Sequence, residues 1–111
     1  MSWPVDTTVE EAVFQALHAV DAAQTLDIRH RPPLFESESA LGAGWAIGAR
    51  PSDHAVWAYM GAEAALHLAV TAALVRLGAP RWATTVWEAV TISVDGVAVA
   101  NNARLGLRVH L

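Results

Sequence analysis

The sequence contains no cysteine and no lysine. Without cysteine the chain has no disulfide framework, no thiol nucleophile and no zinc–thiolate site. All seven basic residues are arginines that form no cluster, and the formal net charge is −4. Nucleic-acid-binding domains carry a basic patch or stripe, which this chain lacks. We therefore expect no nucleic acid as a partner.

Charged residues of both signs are scarce. They make up 16% of the 111 residues, against about 25% in average soluble domains, whereas hydrophobic residues make up 54%. The mean hydropathy is +0.32. The length suits one domain, and the N-terminus lacks the basic region of a secretory signal, so we expect a single domain over residues 1–111 with no cleavable leader.

The longest weakly charged stretch covers residues 55–77, in which only Glu63, His67 and Arg76 are ionisable. Glu63, His67 and Thr71 follow one another at a spacing of four, which places them on one face of a helix. The remaining surface of that helix is uncharged, as lipid requires. A helix of this length measures about 35 Å, enough for a hydrocarbon layer of about 30 Å. The pattern predicts a membrane-spanning helix.

Two flanking segments repeat this pattern of one polar stripe on an apolar cylinder. The first stripe consists of Glu11, Gln15, His18, Asp21 and Thr25, and the second, after a Gly-Ala-Pro break at residues 78–80, of Thr84, Glu88, Thr91, Asp95 and Asn102. We predict an all-α fold, a three-helix transmembrane bundle with helices at about 8–27, 53–77 and 81–103. The stripes would face one another as a polar intramembrane seam of His18, Asp21, Thr25, Glu63, His67, Glu88, Asp95 and Asn102.

Helix ends and connections have signals of their own. Thr7 and Glu10 are spaced as a capping box, and Ser52 with Asp53 is typical of a helix start. The long first loop, residues 29–51, is rich in proline and glycine, and its residues Leu41, Trp45 and Ile47 could lie at the membrane interface. The distribution of arginine favours an outside N-terminus with the first loop and the C-terminus inside.

Several short motifs occur in a fixed order along the chain. They are D-A-A-Q-T at residues 21–25, Glu36 in the loop, P-S at 51–52, His67, Glu88 and N-N at 101–102. Together they resemble small membrane proteins of bacteriophages and prophages. The loop departs from that family, since E-S-E-S-A-L-G stands where an E-x-N-P pattern is expected, and Arg50 replaces a histidine. The resemblance implies a membrane topology, a phage connection and the bacterial inner membrane, and it implies no particular activity.

The ionisable members of the predicted seam could bind a cation or relay protons, because imidazole and carboxylate groups suit zinc, iron or manganese. None of their spacings is a recognised metal motif. We therefore expect them to form hydrogen bonds that fix helix register, and we expect His18, Asp21, Glu63 and His67 to bind no metal and the chain no cofactor. Asn101 and Asn102 would cap or cross-link the third helix, and the five tryptophans would form an aromatic belt.

No serine stands in a nucleophile-elbow context, so we expect no enzyme. The leading functional hypothesis is a structural or interaction role in the envelope, with membrane lipid and either a second copy or another membrane or virion protein as partners. Gly61 and Ala65 would allow close helix packing in such an assembly. The alternatives are an ion-, proton- or metal-handling membrane element and a soluble virion-associated subunit assembled through its apolar faces.

Overall fold

Three α-helices make up nearly all of the computed structural model, which describes residues 3–27 and 52–106. The helices are α1 (Val5–Leu26), α2 (Asp53–Arg76) and α3 (Arg81–Arg104), and no strand occurs in these two ranges. The all-α prediction is confirmed, and each predicted helix boundary lies within three residues of the observed one. The predicted loop, with Glu36, Leu41, Trp45 and Ile47, lies outside the described residues.

The sequence predicts the N-terminal cap of α2 correctly and that of α1 incorrectly. The predicted capping box is wrong, because α1 begins at Val5 after Pro4 and has no side-chain cap. Thr7 therefore lies in the first turn, where its backbone N–H is bound by the Asp6 carboxylate. The Ser52 cap is confirmed, since its hydroxyl accepts the Ala55 N–H at 3.1 Å.

The packing of the helices follows a repeat of seven residues. Helix α1 packs most extensively against α3, less against α2, and α2 and α3 contact each other least. Along α1 the inward residues Glu11 and His18 are seven apart, as are their partners His67 and Met60 on α2. Seven residues are two helical turns, or about 10 Å. Because the partner numbers fall along α2 and rise along α3, α2 runs antiparallel to the other two helices.

The interior of this bundle is mostly polar. Among residues 3–27 and 52–106, the buried apolar residues are Phe14, Ala22, Val56 and Met60, whereas eleven polar or charged residues are buried. Among the predicted seam residues, the structure buries His18, Thr25, His67, Glu88 and Asp95 and leaves Asp21, Glu63 and Asn102 half-buried. A water-soluble domain normally shows the opposite arrangement.

The exterior is correspondingly apolar, with valine, leucine and tryptophan side chains exposed along all three helices. Gly61 and Ala65 also lie on the outer surface, and no neighbouring atom approaches within 4 Å of a Cβ placed on Gly61. Neither residue therefore makes a close contact with α1 or α3. In the described ranges α2 alone is long and apolar enough to cross a membrane, with a mean hydropathy of 1.4.

Candidate functional site

A group of four buried side chains joins the three helices near one end of the interior. We call Glu11, His67, Thr71 and Glu88 the glutamate cluster. His67 Nδ1 lies 3.0 Å from Glu11 Oε2, and the Thr71 hydroxyl lies 2.7 Å from Glu11 Oε1 and 2.9 Å from Glu88 Oε1. Gln15 donates to Glu11 Oε2 at 2.8 Å. Two carboxylates from different helices thus meet at one imidazole and one hydroxyl.

The glutamate cluster is short of hydrogen-bond donors. The single hydroxyl proton of Thr71 faces both glutamates and the His67 carbonyl oxygen at 3.1 Å, and it can be donated to only one of them at a time. The Trp87 indole N–H donates to the Thr71 oxygen and gives nothing to the carboxylates. Glu88 is fully buried, and its Oε2 atom has no hydrogen-bond partner within residues 3–27 and 52–106.

The His67 ring is held on both faces and at both nitrogens. It stacks on Phe14 at 3.5 Å between ring centroids and on Trp87 at 4.7 Å. Its Nε2 lies 2.8 Å from the Thr91 hydroxyl oxygen, and that hydroxyl donates to the Trp87 carbonyl at 2.9 Å. Because the Thr91 proton is committed to the backbone, its oxygen is free to accept Nε2–H. The ring is therefore oriented with Nδ1 toward the carboxylates.

A second polar group lies two turns away, on the other face of Phe14, which also stacks on His18 at 5.4 Å. We call His18, Asp21 and Asp95 the aspartate cluster. His18 Nδ1 lies 3.0 Å from Asp95 Oδ2, and Nε2 lies 3.0 Å from the Met60 carbonyl oxygen. Asn102 donates to Asp21 Oδ1 at 2.9 Å.

A cleft of about 230 Å³ opens between α2 and α3. Its floor is the α1 side of the bundle, and both histidines reach it. The lining side chains are Phe14, His18, Glu63, Leu66, His67, Trp87, Thr91, Val94 and Asp95. The cleft thus joins the two clusters and gives the interior an opening to the surroundings.

The structure divides the four residues considered as a metal site, His18, Asp21, Glu63 and His67, between two clusters. His18 and Asp21 lie together, with Glu63 3.7 Å from His18 Nε2, whereas His67 belongs to the other cluster. Two sets of three metal-binding side chains result, and within each set the donor atoms lie within 4.8 Å of one another: Glu11, His67 and Glu88 in one, and His18, Asp21 and Asp95 in the other.

Sequence reasoning omitted Glu11 from the candidate site, although Glu11 shares the stripe of His18 and Asp21. Sequence reasoning also did not anticipate the contact of Trp87, whose half-buried ring stacks on His67. Thr25 is buried, but its hydroxyl donates to the Asp21 carbonyl of its own helix at 2.8 Å. The cross-link expected of Asn102 is present, whereas the side-chain oxygen of Asn101 accepts from Arg104.

Comparison of the chain with protein-family models, curated proteins and solved structures finds no match in any of the three. Functional inference therefore rests on the geometry of the interior and on the exterior of the bundle.

Proposed function

We propose that the chain is a small integral membrane protein with a structural or interaction role in the envelope. The observation that carries this proposal is the position of the exposed charges. In the described ranges the ionisable residues that are exposed as a whole lie within the first two residues or at the last residue of their helices: Asp6, Asp53, His54, Arg76, Arg81 and Arg104. Between these ends the ionisable residues are buried or half-buried, and the Glu63 side chain, 44% exposed, lies at the cleft that both histidines reach.

The dimensions of the helices agree with that arrangement. They contain 22, 24 and 24 residues, or about 33–36 Å each, which matches a hydrocarbon layer of about 30 Å with its margins. Charged groups within spanning helices normally face the bundle interior and pair there, as Glu11, His18 and Asp95 do. Helix α2 would lead insertion, because α1 and α3 are less hydrophobic on their own.

Exposed small residues on α2 favour an interaction role over catalysis. The outer face of α2 presents Gly61 and Ala65 at the spacing used for close contacts between membrane helices, and in the described part of the chain both residues are exposed. We propose a second copy of the chain or another membrane or virion protein as the partner, in the bacterial inner membrane. The phage connection rests on the sequence motifs alone.

Membrane fractionation followed by carbonate extraction tests the membrane proposal. The tagged chain should remain in the carbonate-resistant pellet, because its apolar outer wall is solvated by lipid. Recovery in the soluble fraction without detergent, in particles of many copies, would instead support the soluble virion-associated subunit. The two readings predict the same interior and differ in this measurement.

Cysteine labelling then tests the number of spans. The natural sequence has no cysteine, so single cysteines introduced at Ser2 and Ser39 can be labelled without background. Three spans with an outside N-terminus predict that an impermeant reagent applied outside labels the Ser2 position and not the Ser39 position. Labelling of both positions from one side would contradict a spanning α1.

A further inference from the structure

The glutamate cluster buries two carboxylates with few positive charges and few hydrogen-bond donors nearby. The three arginines of the described ranges, Arg76, Arg81 and Arg104, lie exposed at helix ends, away from the cluster. The hydrogen bonds available to the carboxylates come from the Gln15 amide, His67 and the one Thr71 proton. A buried carboxylate is strongly destabilising unless it is paired, protonated or bound to a metal. The carboxylate that His67 does not pair with therefore needs a proton or a metal ion.

Glu88 Oε2, which has no hydrogen-bond partner among the described residues, marks the place where a donor or a cation is missing. Glu88 is fully buried and projects from α3 toward a glutamate of α1 and a histidine of α2. Donor atoms of the three side chains lie within 4.8 Å of one another, while two ligands of one first-row metal ion lie at most about 4.2 Å apart. Side-chain adjustments of less than an ångström would bring them into coordination distance.

His67 is already arranged as metal-binding histidines usually are. Such histidines donate the ring N–H that is not bound to metal to a fixed oxygen acceptor. Here Nε2 faces the Thr91 oxygen and Nδ1 faces Glu11. A proton on Nδ1 makes the 3.0 Å contact with Glu11 a hydrogen bond. With the proton on Nε2 instead, the Nδ1 lone pair faces the same carboxylate oxygen, and a metal ion can take the place of the Nδ1 proton between them.

We propose that Glu11, His67 and Glu88 bind one divalent first-row transition-metal ion, held between the three helices. Two carboxylates and one imidazole suit zinc, manganese and iron better than the softer copper(I). The site would tie α1, α2 and α3 together in one coordination sphere and would open, through His67, onto the cleft between α2 and α3. It reverses the expectation from sequence that the polar residues bind no metal.

The aspartate cluster carries no such proposal. It also offers a histidine and two carboxylates, but both ring nitrogens of His18 have protein partners and Asp21 has Asn102. No buried carboxylate oxygen of that cluster lacks a partner in the ranges the structure describes. It therefore serves as the internal control for the glutamate cluster.

The test uses the full chain, purified in detergent without chelator, then stripped with a chelator and titrated separately with Zn²⁺, Mn²⁺ and Co²⁺. We expect about one ion per chain, visible absorption bands for bound Co²⁺, and a melting temperature raised by at least about 5 °C at saturation. Binding should weaken as the pH is lowered, because protons compete with the metal ion for its ligands. A folded wild-type chain that binds none of the three ions would overturn the proposal and leave protons as the compensating charge.

Matched variants locate the site. Glu88→Gln and Glu11→Gln keep side-chain size and remove one anionic ligand each, and both should weaken binding at least tenfold, in line with losses of about 10–100-fold at supporting residues. Asp95→Asn makes the same change in the aspartate cluster and should leave binding within about twofold. Equal losses in all three variants would place the ion elsewhere and reject the assignment. If one glutamine variant does not fold, the other and the wild-type titration still decide.

Discussion

The two polar clusters lie two helical turns apart on the same three helices, yet they are built differently. In the aspartate cluster, His18 is bonded by a carboxylate on one side and a backbone carbonyl on the other, and Asp21 receives an amide N–H from Asn102. In the glutamate cluster, one threonine hydroxyl faces three acceptors, and Glu88 Oε2 has no partner among the described residues. Phe14 separates the two clusters and stacks on a histidine of each.

This difference suggests two different roles. A fully bonded polar network rigidifies a bundle and specifies which residues face one another, whereas a half-satisfied network costs stability. The aspartate cluster fits the first description and can fix the register of α1 against α3. The glutamate cluster fits the second, so its persistence calls for a compensating cation, which is the basis of the metal proposal.

The largest effect on stability is expected from His67→Leu. Leucine leaves the buried Glu11 carboxylate without its imidazole partner and removes the bond to Thr91. Removing a hydrogen-bond partner of a buried charged group typically costs about 3 kcal/mol or more, so the melting temperature in detergent should fall sharply, measured after chelator treatment so that metal loss does not contribute.

Val90→Ala is the control for His67→Leu, because Val90 is 55% exposed on the outer wall and its truncation should cost no more than about 0.5 kcal/mol. Equal melting temperatures for the two variants would show that the glutamate cluster does not hold the bundle together, and the contrast between interior and exterior would fail.

A smaller effect is expected from Thr71→Val, which tests the shared hydroxyl itself. Thr71 and Thr25 are both buried threonines that bond the carbonyl four residues earlier in their own helices, at 3.1 and 2.8 Å. Only the Thr71 hydroxyl also contacts Glu11 and Glu88. Because valine would remove the one hydroxyl proton that the two carboxylates share, Thr71→Val should lower the free energy of unfolding by about 1–3 kcal/mol.

Thr25→Val makes the same exchange at a hydroxyl that contacts no carboxylate. It should lower the free energy of unfolding by less than about 1 kcal/mol, because only one hydrogen bond within the helix is lost. If chemical denaturation in detergent gave both variants the same loss, the hydroxyl of Thr71 would be an ordinary helix contact, and the glutamate cluster would be no more strained than its neighbour.

The helices themselves were predictable from sequence because each one carries its own signal. The stripes at spacings of three and four identify a helix and its polar face without reference to the rest of the chain, and Ser52 and the break at residues 78–80 mark ends. The capping box failed because the first helix begins one turn earlier than its polar stripe suggests. Pro4, which precedes Val5, was the overlooked start signal.

The pairings between helices could not be predicted in the same way. Periodicity within one helix gives the direction of a side chain but neither the axial offset nor the rotation of its neighbour. His67 was therefore grouped with His18 and Asp21, whereas the observed offset brings it to Glu11. Once one contact between two helices is known, the seven-residue repeat predicts the contact two turns further on. His18 lies seven residues after Glu11, and Asp95 lies seven residues after Glu88.

The smallest effect is expected from Asn102→Ala, which tests the bonded end of the bundle. Asn102 is half-buried and makes one charged hydrogen bond between α3 and α1, to Asp21 Oδ1 at 2.9 Å. Its loss should cost about 0.5–1.5 kcal/mol, because water can reach the half-buried carboxylate and replace the amide. Asn101→Ala is the neighbouring control, since the side-chain oxygen of the exposed Asn101 accepts from Arg104 of its own helix, and it should leave the melting temperature unchanged. A loss for Asn102→Ala as large as that for His67→Leu would mean that water does not replace the amide at the Asp21 carboxylate, and the expected order of effects between the two clusters would fail.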